Sequence, residues 1–93
     1  MEKAKQIAVL LKVLANENRL LIFCALMENP MTVSEIAKRV TNISQSALSQ
    51  HLNLLKAHGI LHSTKNGQCI TYDIADRRVN EVIAVLRKYY CID

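Results

Sequence analysis

Apolar residues recur along the chain at helical spacing in several separate blocks. Ile7, Leu10, Leu11 and Leu14 form one stripe, with Lys3, Lys5, Gln6 and Lys12 mostly on the other side. This predicts a first helix over Glu2 to Leu14. Asn16 or Asn18 can cap a second, running to about Glu28, whose Leu20, Cys24 and Met27 share one stripe and Leu21 and Ala25 a neighbouring one. Apolar nearly all round, that helix belongs at the centre.

Asn29-Pro30 stops it, and Thr32-Val33-Ser34-Glu35 has the form of a capping box at the head of a third helix, about Val33 to Val40. Ser44 can cap a fourth, about Gln45 to His58, with Gly59 placed to end it in a left-handed conformation. Two helices joined by a short polar break predict a helix-turn-helix. Ile60 to Lys65 and Gln68 to Ile74 then flank Asn66-Gly67, a hairpin signal, with Ile70, Tyr72 and Ile74 alternating inward against Cys69, Thr71 and Asp73. Asp73 or Asp76 can start a last helix to about Tyr90, with Val79, Val82, Ile83, Leu86 and Tyr90 as its apolar stripe. The expected fold is mainly α with a β-hairpin wing, a winged helix-turn-helix in one domain over residues 1–93. The terminal helices carry more apolar surface than so small a core can cover, which predicts a homodimer through the first and last helices.

Composition changes this picture little. Of the 93 residues 51% are apolar and 4% aromatic, which makes the core aliphatic. The longest apolar run, Leu20 to Met27, is far short of the roughly 20 residues that cross a bilayer, so no membrane role and a cytoplasmic location are expected. A net charge of +4 favours an anionic partner, but many basic domains bind no nucleic acid.

The fourth helix carries the more specific signal. Leu48, Leu52 and Leu55 hold it to the core, leaving Gln45, Ser46, Ser49, Gln50 and Asn53 facing away. Amides and hydroxyls of this kind both donate and accept, as base edges and phosphates require. The bland alternative is a solvated helix face. Lys65, Asn66 and Gln68 make the hairpin tip a polar, basic finger suited to a DNA backbone or minor groove, or simply a soluble turn. Arg77 and Arg78 fit phosphate contacts and a solvated helical turn equally well.

Read as strings, LKVLANENRLLIFCAL, SEIAKRV, ISQSALSQHLNLLKAHGIL and KNGQCITYDI resemble the ArsR/SmtB family of dimeric winged-helix repressors across nearly the whole chain. The resemblance implies a repressor of double-stranded operator DNA that lets go when an inducer binds, with the fourth helix reading the major groove. Its metal sites do not carry over. Thr32-Val33-Ser34 stands where soft-metal sensors have Cys-x-Cys, and Asp76 to Glu81 offers no histidine for a zinc site. His51, His58 and His62 form no i, i+4 pair on one helix. Neither metal nor cofactor is expected, although a metal-responsive regulator with other ligands stays an alternative.

Cys24 in LLIFCAL and Cys91 in LRKYYCID match the cysteine pair of the family's thiol- and persulfide-sensing branch. The resemblance thus implies a sulfur or oxidant inducer that joins the two. On the residues alone, Cys24 could as well be core filler. Neither thiol lies at a helix N-terminus, where its pKa would fall, which suits a persulfide better than a peroxide. Cys69 matches nothing in that branch. The chain holds neither a Gly-rich loop nor a carboxylate cluster, so no enzyme is expected; a winged helix that binds protein instead of DNA is the remaining rival.

Overall fold

A computed structural model describes residues 2–90. The order is α1 (Glu2–Leu14), α2 (Glu17–Glu28), β1 (Met31–Thr32), α3 (Val33–Arg39), α4 (Gln45–Ala57), β2 (Leu61–Asn66), β3 (Cys69–Ile74) and α5 (Arg77–Tyr90). Local chemistry sets most of these boundaries. The Asn16 side chain accepts from the Arg19 backbone N–H and starts α2. At α3 the capping box is complete: Thr32 Oγ1 accepts from Glu35 N–H at 3.2 Å and Glu35 Oε1 accepts from Thr32 N–H at 2.8 Å. The bond from the Thr32 backbone N–H first, and the Thr32 side chain second, hold the Glu35 carboxyl below its ordinary pKa. Ser44 caps α4 through Ala47 N–H, and Asp76 accepts from Arg78 N–H at the head of α5.

α2 is the centre of the core. Ile22 and Phe23 have no exposed surface and Leu26 almost none. Around them lie Ile36 of α3, Leu48, Leu52 and Leu55 of α4, and Ile60, Leu61, Tyr72 and Ile74 of the sheet side, in one apolar cluster. Val79 and Ile83 bring α5 onto it. Outside the core, Glu28 and Arg39 pair at 3.0 Å and tie the end of α2 to the end of α3. Such an exposed pair adds little stability.

The structure departs from the sequence reading in three places. β1 was not expected: Met31 pairs with Tyr72 and Thr32 with Thr71, adding an antiparallel strand on the far side of β3 and giving the sheet order β1-β3-β2. A strand of two residues has no alternation for a pattern to reveal. The hairpin also turns one residue later than Asn66-Gly67 suggests. Asn66 pairs with Cys69, so Gly67 and Gln68 form the two-residue loop, with Gly67 at φ +65°. Glycine in the first central position suits the turns that match strand twist.

The third departure concerns apolar stripes that divide. Tyr72 and Ile74 are buried as the alternation requires, but Ile70 is partly exposed because the hairpin runs past the edge of the core. On α5 only Val79 and Ile83 face inward, while Val82, Val85 and Leu86 are about half exposed and Tyr89 and Tyr90 mostly so. Ile7 and Leu11 of α1 are likewise 56% and 53% exposed. Among the described helices none is long and apolar enough to cross a membrane.

Gly59 follows the last residues of α4 at φ +74°, and an added Cβ there would meet nothing within 4 Å. Substitution therefore tests backbone strain free of any clash. Gly59→Ala should lower unfolding free energy by about 1–2 kcal/mol, read from urea midpoints at unchanged slope. An unchanged midpoint would show that the left-handed residue does not set the end of α4.

Candidate nucleic-acid interface

Leu48, Leu52 and Leu55 are at most 1% exposed, so the rotation of α4 about its own axis is fixed by three side chains locked in the core. The consequence is on the other side. Gln45, Ser46, Ser49, Gln50 and Asn53, the residues singled out from the sequence, are all exposed and lie together on the outward face. The N-terminal part of that face has no charged side chain, exposed Lys56 adding a cation in the last turn, and Ser44 already satisfies one of the amides at its start. It can therefore exchange donors and acceptors with a base edge without carrying a fixed charge into a groove.

Lys65, Asn66 and Gln68 are exposed at the far end of the β2–β3 hairpin. Lys65 supplies the cation at that tip, opposite Ile70 in the ladder. Gln68 also borders a hollow of about 200 Å³ between the hairpin and the start of α3, beside Thr32 and Ser34. Arg77 and Arg78, for which phosphate contact and a solvated turn stood level, both lie against carboxylates: Arg77 is 3.6 Å from Asp73 and Arg78 is 2.9 Å from Asp76. Arg78 in turn lowers the pKa of Asp76, mainly by its side-chain hydrogen bond.

Cys24 is half-buried in a second place altogether. An apolar cleft of about 290 Å³ opens between α2 and α5, with Leu20, Leu21, Ile83 and Leu86 as its walls. Glu17 and Arg87 are the charged residues that border it. Burial pushes the Cys24 thiol above its ordinary pKa, and Arg87 pulls part of the way back. Cys91, its expected partner, lies outside the described residues. Cys69 is exposed on the hairpin. Among the described residues no group of His, Cys, Asp and Glu has the arrangement of a metal site.

One feature of the interface escapes the sequence pattern. His51, on the same helix, stands 3.4 Å through Nδ1 from Nη1 of Arg19 on α2. The same guanidinium donates through Nε to the carbonyl of Val13 in α1. Burial first, and the Arg19 charge second, hold the His51 pKa below its ordinary value. Nothing in the spacing of Arg19 and His51, which are 32 positions apart, announces their contact.

Comparison with known proteins agrees with this geometry. Residues 16–63, from the cap of α2 to the middle of β2, match the model of the bacterial regulatory protein family arsR. The transcriptional activator HlyU of Vibrio cholerae is 41% identical over 92 residues, which cover 98% of this chain and 84% of that protein. Its solved structure superposes with a TM-score of 0.88, covering 97% of each chain. The transcriptional repressor BigR of Xylella fastidiosa superposes at 0.90, with 29% identity over 99% of this chain and 93% of that one. A homodimeric winged helix-turn-helix DNA-binding domain from Mycobacterium bovis does so at 0.83, with 28% identity over 96% of this chain and 82% of that one. With helices, hairpin and sequence in agreement, the fold is a winged helix-turn-helix, and the chain belongs to the ArsR family of bacterial transcriptional regulators.

Proposed function

We propose that the protein is a homodimeric repressor that occupies operator DNA through α4 and the hairpin, and leaves it when Cys24 and Cys91 are joined. The observation that carries the DNA reading is the polar face of α4, whose Gln45, Ser46, Ser49, Gln50 and Asn53 are all exposed while three buried leucines hold it in place. Gln50, Gln45 and Asn53 can pair with base edges, Ser46 and Ser49 can reach base or phosphate, and Lys65 with Asn66 and Gln68 can follow the backbone. A protein-binding winged helix would gain little from so polar a face, because protein interfaces draw their energy from buried aromatic and Arg anchors.

The dimer rests on the exposed apolar residues of the two ends. Ile7 and Leu11 on α1 and Val82, Val85, Leu86 and Tyr89 on α5 are far more surface than isolated exposed side chains would explain. A second copy would cover them with the same face, as two-fold symmetry requires, and set two reading helices side by side. BigR is named a repressor and HlyU an activator, so the family alone does not give the sign of regulation. Repression is the simpler outcome for a unit whose elements serve core, reading face or arm, since occupying the DNA suffices.

The switch rests on Cys24 facing the α2–α5 cleft and on the chain position of Cys91. Cys91 comes four positions after Arg87, which borders the same cleft, so at most ~14 Å of chain separates the two. A persulfide donor RSSH would pass its outer sulfur to one cysteine thiolate and leave as thiolate. Attack by the other cysteine on the protein persulfide would then form the disulfide and expel hydrosulfide. With the raised Cys24 pKa less of the attacking thiolate is present at neutral pH, which favours a donor that is itself reactive over a peroxide.

Gln50→Ala and Ser49→Ala should each lose about 1–3 kcal/mol of discrimination between operator and random duplex. Lys65→Ala should weaken both duplexes alike and flatten the slope of log affinity against log salt by about one unit. Wild-type discrimination in both α4 variants would show that another face reads the DNA.

Cys24→Ser and Cys91→Ser should each bind the operator when reduced and stay bound after treatment with an organic persulfide, whereas Cys69→Ser should be released like the wild type. Release of either single variant would show that the pair is not the sensor. In cells, a reporter behind the operator should rise when the regulator is deleted; a fall would make it an activator.

A further inference from the structure

Arg19 gathers three helices on one side chain. Its backbone N–H bonds to the Asn16 cap at 3.1 Å, its Nε donates to the Val13 carbonyl in the last turn of α1, and its Nη1 meets His51 Nδ1 at 3.4 Å. The last carbonyls of a helix lack partners within it and carry the negative end of its dipole, so a guanidinium suits that place. A guanidinium has only donors and does not lose its proton, so the ring nitrogen facing it must be the acceptor. As a hydrogen bond the contact requires a neutral His51 with its hydrogen on Nε2.

We propose that Arg19 is a positioning residue for DNA reading: it clamps neutral His51 of the reading helix to the end of the terminal arm, and the clamp opens when His51 takes up a proton. The proposal rests on α4 being the reading helix and α1 part of the dimer face. His51 follows Gln50 in α4 and lies between the polar face and the buried leucines, so a change in its anchoring turns the helix whose side chains meet the bases. Through Val13 the same cation fixes how α4 stands relative to the arm that sets the distance between two reading heads. Arg19 from α2 is the charge that acts on His51, while α1 contributes only a carbonyl. Lys12 and Glu17, next along the chain on these elements, are exposed.

The sign of the pH effect follows. With its pKa depressed in the fold, His51 binds a proton less readily folded than unfolded. The stability it contributes is complete above the ordinary value of about 6.5 and is lost as pH falls through that value to the folded one. Protonation sets an imidazolium against the guanidinium with its accepting nitrogen gone.

Two measurements on the intact dimer decide it. Without DNA, NMR titration of His51 should give the Nε2–H tautomer and a midpoint below about 6.5, rising toward that value in Arg19→Gln. An unchanged midpoint in Arg19→Gln would overturn the clamp whatever reads the DNA. With DNA, operator affinity of the wild type should fall about five- to tenfold from pH 7.5 to 5.5 relative to His51→Asn, which keeps an acceptor near the Nδ1 position and cannot be protonated in this range. Parallel losses in the two proteins, or tighter binding by the wild type in acid, would overturn the proposed link to reading. Normal discrimination in Gln50→Ala together with the tautomer and midpoint shift would instead place the error in the choice of reading face and leave the clamp standing.

Discussion

Burial of α2 is the constraint on which the other elements depend. Ile22 and Phe23 have no exposed surface and Leu26 almost none, and each contributes about 1.5–3 kcal/mol by leaving water. α4, α3 and the sheet each bury one apolar face in the cluster around α2, which is the element they share. In so small a chain this leaves no second layer for the outer faces of α1 and α5. The exposed valines, leucines and tyrosines there are the direct result of spending the core on the reading unit.

The division of labour between faces follows from the same packing. The leucines of α4 turn its amides and hydroxyls outward, Lys65 puts a cation at the hairpin tip, and Arg39, Arg77 and Arg78 are paired with Glu28, Asp73 and Asp76. In the proposed role such a surface would take long-range attraction from net charge and discrimination from neutral donors and acceptors. The thiol cleft lies on the opposite side of α2 from this chemistry, against α5. In the proposed switch a covalent event there would act on the DNA through the way the arms hold two copies, for which a coupling of about 1–3 kcal/mol is enough.

Much of this was legible in the residues. Thr32 with Glu35, Ser44, Asn16 and Gly59 carry their structural role in their own chemistry, and the structure uses each of them as a cap or a stop. The leucine spacing on α4 likewise leaves a single choice of outward face. What stayed hidden depends on contacts between distant segments or on edges. β1 exists because Tyr72 and Thr71 are there to pair with it, and the turn moved by one residue because ladder pairing, not dipeptide preference, selects the loop. Periodicity on α5 gave one stripe where the structure has an inward pair and an outward set, since a pattern does not say how much of an apolar face the core can reach. Arg19 and His51 read as an ordinary charged residue and a motif histidine until the fold brings them together.

In the proposed assembly, two copies of this unit, joined through the exposed faces of α1 and α5, present two α4 helices to one side of a duplex. Hydroxyl-radical footprinting on an operator selected from random sequence examines it directly. Two protected tracts related by a dyad are expected, with centres about 34–36 Å apart, one turn of DNA. A single protected tract with no symmetry in the selected sequence would contradict it.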